Sequence, residues 1–103
     1  MRSGDLYWGV TAAAGERPYL VLTRTAAIEV LDRITVAPCS TRIRDIPTEL
    51  PLGADCDLEH DSVAQPDSIM PTLKSSLHRR LGTLGPDGHA ELCTRLAIAF
   101  GCD

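Results

Sequence analysis

Two short segments carry the residue types for chemistry on an anion. Arg17-Pro18 stands just ahead of an apolar run, and Pro38-Cys39-Ser40-Thr41-Arg42 follows a β-branched one. Proline disfavours helical backbone in the residue before it, so Arg17 is expected to be extended. Pro18 also lacks an N–H at what reads as a strand's first position, where that loss is tolerated. A guanidinium held this way presents a planar fork that binds phosphate through two hydrogen bonds. Ser40 and Thr41 place hydroxyls in the loop that Pro38 begins, free to donate to the same kind of group. Spacing alone leaves a plain surface arginine and a plain polar loop open.

Other chemistries lack their residues. The chain has no G-x-S-x-G elbow, no phosphate-binding P-loop and no G-x-G-x-x-G, which sets aside serine hydrolases, NTPases and dinucleotide enzymes. Cysteines stand at 39, 56, 93 and 102 with no C-x-x-C pair, and are expected to be reduced thiols. His60, His78 and His89 fall at no metal-ligand spacing with them. Acids alternate from Asp55 to Asp61, as on a solvated face, without the glycine turn and ligand order of a calcium loop. No metal and no cofactor are expected.

The formal charge is −4, from 14 acids and 10 bases, which argues against a nucleic-acid partner at the level of the whole chain. Yet nine of the bases are arginine and only Lys74 is lysine. Arginine suits phosphate and base stacking, although a compositional habit of the genome would look the same.

Elements must position these groups, and 103 residues suffice for one domain, taken as 1–103. With 44% hydrophobic and 23% charged residues the chain is expected to fold. No apolar stretch approaches a membrane span. Met1 to Asp5 leads into no signal-like apolar region, so the expected address is the cytoplasm. Leu6 to Val10 reads as a strand and Thr11 to Glu16 as a loop. Pro18 to Thr23 reads as a strand buried on both faces. Thr25 to Asp32 suits one or two helical turns with Thr25 as N-cap. Ile34 to Ala37 is a strand that Pro38 ends, and Cys39 to Asp45 a polar loop. Thr48 to Leu52 alternates like an exposed strand. Ser62 to Gln65 and Leu77 to Leu84 complete the strands. A helix starts at Pro86, stops at Gly101 and shows His89, Cys93, Leu96, Ala97 and Phe100 on one face. Strands followed by one helix predict a mainly β (α+β) fold, a small barrel with a C-terminal helix.

The ordered motifs resemble the MazF/PemK toxins of bacterial toxin–antitoxin pairs. The likeness is carried by Arg2-Ser3-Gly4-Asp5-Leu6-Tyr7-Trp8, Arg17-Pro18-Tyr19-Leu20-Val21-Leu22 and Val36-Ala37-Pro38-Cys39-Ser40-Thr41. Asp67-Ser68-Ile69 and Arg80-Leu81-Gly82-Thr83-Leu84 extend it over essentially the whole chain. The resemblance implies an SH3-like β barrel with a C-terminal helix. It implies a homodimeric, metal-independent, sequence-specific endoribonuclease acting on single-stranded RNA and held inactive by a cognate antitoxin, whose tail is often acidic in this family. The family's catalytic arginine falls on Arg17 and its hydroxyl on Ser40, where the family usually has threonine; Thr41 is the neighbouring substitute. The glutamate that some members use before the arginine is not carried over to Glu16.

In such a reaction the RNA supplies its own nucleophile, the 2′-hydroxyl. The products are a 2′,3′-cyclic phosphate and a 5′-hydroxyl. Arg17 and Ser40 would stabilise charge on the phosphoryl oxygens, and the base that takes the 2′-hydroxyl proton is left unassigned. Arg24, Arg42, Arg44, Arg79 and Arg80 are candidate RNA contacts, with Asp67 from its motif. The acids of 55–61 are expected away from the groove. As alternate residues of a strand, one of Tyr7 and Trp8 is expected in the core, and neither is assigned to RNA. Two alternatives share the barrel, a toxin that poisons DNA gyrase by binding and a catalytically inactive binding module.

Overall fold

The chain hydrogen-bonds into one curled antiparallel sheet closed by a helix. The computed structural model describes residues 1–53, 56–58 and 60–102. The strands are β1 (Asp5–Thr11), β2 (Gly15–Val21), β3 (Arg33–Ser40), β4 (Leu50–Pro51), β5 (Val63–Ala64), β6 (Met70–Leu73) and β7 (Leu77–Thr83). Two α-helices, α1 (Thr25–Ile28) and α2 (Pro86–Ala99), complete it, with 3₁₀ turns at Pro66–Ser68 and Lys74–Ser76. The sheet runs β4-β5-β3-β2-β1-β7, with β6 also on β3. β3 changes partner along its outer edge, from β6 at Arg33 to Val36 to β5 at Cys39 and Ser40. That change curls the sheet into a half-barrel.

β2 is the central element. Tyr19, Leu20 and Val21 are fully buried. Leu20 enters one core with Leu6, Ala37, Cys39, Leu81 and Leu92, and Tyr19 and Val21 enter a second with Ile28, Ile34, Val36 and Leu77. Alternate residues of a strand face opposite ways, so apolar surface on both sides needs the continuous run seen here. The β1–β2 hairpin turns through Gly15, whose positive φ of 78° suits glycine. The Tyr19 hydroxyl donates to the Gly15 carbonyl at 2.5 Å and tethers that turn to the core.

Several local expectations are corrected. β2 begins at Gly15 and β1 runs to Thr11, so Arg17 and Pro18 lie inside a strand rather than before it. Pairing across the hairpin extends it further than residue propensities alone. Pro38 does not end β3, which continues to Ser40. Its carbonyl accepts Gln65 N–H at 3.0 Å, so the missing N–H faces the gap where β3 passes from β6 to β5. Thr25 is not an N-cap: Arg24 holds that position, and the Thr25 hydroxyl accepts Ser3 N–H at 3.0 Å instead. Thr48 to Leu52 is not an exposed strand. Only Leu50–Pro51 pairs, and Thr48, Glu49 and Leu50 are buried. β6 is not among the strands expected from the sequence; it carries Pro71 and lies on β3's outer edge, where proline is tolerated.

Pro86 opens α2 and Gly101 follows its end with φ of 69°. The buried residue of α2 is Leu92, while Cys93 and Phe100 are exposed. The docked face is therefore turned by one residue from the expected one, onto His89, Leu92 and Leu96. Arg95 pins the 41–49 loop to α2, donating from Nη1 to the Pro47 carbonyl at 2.6 Å and from Nε to Glu91 at 2.7 Å.

Candidate active site

The β2–β3 ladder stops at the pair Tyr19–Pro38. Pro18 is the next residue of β2, and it has no N–H to extend the ladder. A cavity of about 530 Å³ opens there. Arg17, Pro18 and Glu16 from β2, Trp8 from β1, and Cys39, Ser40 and Thr41 from the end of β3 line it. Arg79 and Leu81 of β7 and Asp57, Leu58, His60 and Ser62 of the β4–β5 connection close it.

Arg17 is half-buried, and its Nε–H is out of water with no hydrogen-bond partner among the described residues. An orphaned buried donor is costly unless something occupies it in function. Ser40 Oγ accepts the Arg42 N–H at 3.0 Å. That bond fixes the hydroxyl and leaves its own hydrogen to donate. Trp8 stands on the wall, its Nε1–H donating to Glu16 Oε1 at 3.1 Å. The two are diagonal neighbours of the hairpin, since Trp8 pairs with Pro18 and Val10 with Glu16. Beneath them burial pushes the Cys39 thiol up, with Cys56 adding to the shift and the Leu20 backbone and Arg17 opposing it. Cys39 is thereby held as a neutral thiol in the floor. Among the described residues no three of His, Cys, Asp and Glu gather as metal ligands.

Of the residues singled out from the sequence, Arg17, Ser40, Thr41 and Arg79 share this cavity. Arg24, Arg42, Arg44, Arg80 and Asp67 are not in its lining. Arg80 lies by a second depression with Arg2 and His89, 3.7 Å from buried Asp5. The Arg44 backbone N–H binds Glu49 at 2.9 Å, and Asp67 accepts the Thr48 hydroxyl at 2.5 Å.

The alternating acids are corrected in one respect. Asp57 lies in the cavity wall and not away from it, with Oδ2 3.8 Å from Arg79 Nη1. The Cys56–Gly82 bridge and the Asp57 N–H donated to the Leu81 carbonyl at 2.8 Å lay this segment along β7. Asp55 and Glu59 lie outside the described residues. Sequence reasoning also missed Trp8, Glu16 and His60. The hairpin register could have paired the first two; nothing local marks His60.

A family model described as the PemK-like, MazF-like toxin of type II toxin–antitoxin systems matches residues 3–100. The chain belongs to this toxin family. A Mycobacterium tuberculosis protein named probable endoribonuclease MazF5 is 37% identical over 100 residues, covering 96% of this chain and 92% of its own. Another from that organism, probable endoribonuclease MazF2, is 31% identical over 103 residues, covering 99% of this chain and 100% of its own. The solved structure of M. tuberculosis toxin MazF-mt6 superposes with a TM-score of 0.88 at 29% identity, covering 96% and 98% of the two chains. The half-barrel with its C-terminal helix is thus the fold of MazF toxins. Among the described residues no helix is long and apolar enough to cross a membrane.

Proposed function

We propose that this MazF-like toxin is an endoribonuclease that cuts single-stranded RNA without a metal, by attack of the 2′-hydroxyl on the adjacent phosphate. The observation that carries the reading is the buried Nε–H of Arg17, without a partner among the described residues, at a cavity that Ser40 and Thr41 also line. These are donors waiting for an anion. As the 2′-oxygen bonds to phosphorus, charge grows on the non-bridging oxygens, where preorganised donors act most strongly. Arg17 takes them with its fork and Ser40 adds a hydroxyl. The 5′-oxygen then leaves, and the products are a 2′,3′-cyclic phosphate and a 5′-hydroxyl. Trp8 offers a face on which a base beside the cut can stack.

The relatives' names, as endoribonucleases, favour this over a binding-only toxin of the same fold. The toxin works in the cytoplasm as a homodimer and is restrained by a cognate antitoxin, the partner that a type II system implies. Incubating the protein in EDTA with an RNA and with its all-deoxy copy tests the reading. The RNA is cut to cyclic-phosphate ends and the deoxy copy survives. Activity abolished by EDTA and restored by magnesium, or cleavage of both strands, overturns it.

A further inference from the structure

Arg17 and Ser40 leave one requirement unmet. Both serve the reaction as donors, and the 2′-hydroxyl needs an acceptor for its proton. Among the described residues three proton acceptors line the cavity besides the buried thiol of Cys39: Glu16, Asp57 and His60. Two of them are engaged. Glu16 Oε1 takes the Trp8 Nε1–H at 3.1 Å, and Asp57 lies 3.8 Å from the Arg79 guanidinium. The His60 imidazole makes no hydrogen bond or ion pair to the described residues; only its backbone carbonyl is used, accepting the Ser62 hydroxyl at 3.1 Å. Imidazole is the side-chain type that takes up and releases protons near neutral pH, which is where a general base works best.

We propose that His60 is the general base of RNA cleavage, an inference that rests on the endoribonuclease reading above. The neutral imidazole accepts the 2′-hydroxyl proton as the O2′–P bond forms. The P–O5′ bond breaks with its electron pair on O5′, which takes a proton from solvent. His60 then releases its proton to solvent, so the reaction ends with no net proton change. Among the described residues the charged and titratable groups that line the cavity with His60 are Glu16 and Arg17 of β2, Cys39 of β3, Asp57 of its own connection and Arg79 of β7.

The test measures cleavage of one defined single-stranded RNA from about pH 5 to 9. Wild type is compared with His60→Ala, His60→Gln, Asp57→Asn and Glu16→Gln. Both His60 variants lose about 10²–10⁴ in kcat and lose the acidic limb of the kcat/KM profile. Their affinity for the uncleavable all-deoxy copy stays within roughly twofold, which separates chemistry from binding and from misfolding. Asp57→Asn and Glu16→Gln keep the acidic limb. An intact limb with near-full activity in the His60 variants overturns the assignment, as does loss of the limb in either carboxylate variant. If wild type cuts RNA through Arg17 and does not need His60, this inference fails and the endoribonuclease reading stands. If wild type cuts no RNA, both fail.

Discussion

Arg17 and Ser40 each stand two residues beyond the last registered pair of the β2–β3 ladder, Tyr19–Pro38. Continued by two residues, that antiparallel register sets them opposite one another, and both line the same cavity. Residues two apart on a strand share a face. Arg17, Ser40 and Thr41 all line the cavity, and of the two hydroxyl residues Ser40 is the one inside β3, opposite Arg17 in that continued register.

This relationship ranks the hydroxyls. Arg17→Ala abolishes RNA cleavage and leaves the melting temperature nearly unchanged, because the side chain sits in a cavity wall. Arg17→Lys does not restore activity, since an ammonium lacks the planar fork. Ser40→Ala costs on the order of 10²-fold in kcat, as for one oxyanion donor, and Ser40→Thr retains most activity. Steady-state cleavage assays check all four. A Thr41→Ala variant worse than Ser40→Ala would move the hydroxyl by one residue.

Trp8 predicts a different signature. Trp8→Ala removes a stacking surface worth about 1–3 kcal/mol per base, so affinity for the all-deoxy strand falls roughly 10- to 100-fold. Trp8→Phe keeps most of that affinity. Glu16→Gln retains an acceptor for the indole N–H and binds nearly as wild type. Fluorescence anisotropy of a labelled strand reads each case, and unchanged binding in Trp8→Ala would remove Trp8 from the RNA surface.

Cys39 makes stability depend on alkaline pH. Its pKa is raised in the folded protein by burial, so the stabilisation is complete below the unfolded thiol's value of ~8.5. Above it the unfolded chain loses a proton that the folded one keeps. Stability then falls by about 1.4 kcal/mol per pH unit. Denaturant titrations between about pH 8 and 10 show this slope in wild type and a shallower one in Cys39→Ala. In the native state iodoacetamide modifies exposed Cys93 and Cys102 and spares Cys39.

The docked face of α2 is tested by stability alone. Leu92→Ala empties a fully buried site and costs about 2–5 kcal/mol. Phe100→Ala removes a side chain that is 61% exposed and stays within about 0.5 kcal/mol if no partner covers it. Urea unfolding of the two variants decides between the observed face and one centred on Cys93.

Antitoxin and RNA are predicted to exclude one another. The chain is acidic overall, and Arg17 and Arg79, beside Glu16 and Asp57, bring positive charge into the cavity proposed for RNA. Both affinities weaken as salt rises, because exposed charges are screened beyond ~8 Å at physiological ionic strength. Binding of the all-deoxy strand to the toxin, with and without antitoxin, measures the exclusion. A ternary complex with the strand on both sites contradicts it, and a monomer in light scattering contradicts the dimer.

What the residues determined by themselves is the local and the twofold-buried. Tyr19, Leu20 and Val21 announce a central strand because a sheet with cores on both faces needs an unbroken apolar run. Pro86 and Gly101 mark the limits of α2 because capping depends on neighbours within one turn. The ordered motifs around Arg17 and Ser40 likewise name the family before any contact is known. Tertiary structure decided the rest. Which of Leu92 and Cys93 is buried depends on the sheet that α2 meets, not on the helix's own period. Pro38 survives inside β3 because its partner changes there, a fact about β5 and β6. Glu49 is buried where it accepts the Arg44 N–H, in a loop that Arg95 ties to α2. Asp57 and His60 share a cavity with Arg17 because backbone pairing with β7 brings a distant connection to it. Such convergence is set by pairings far apart in sequence, and neither composition nor local spacing records it.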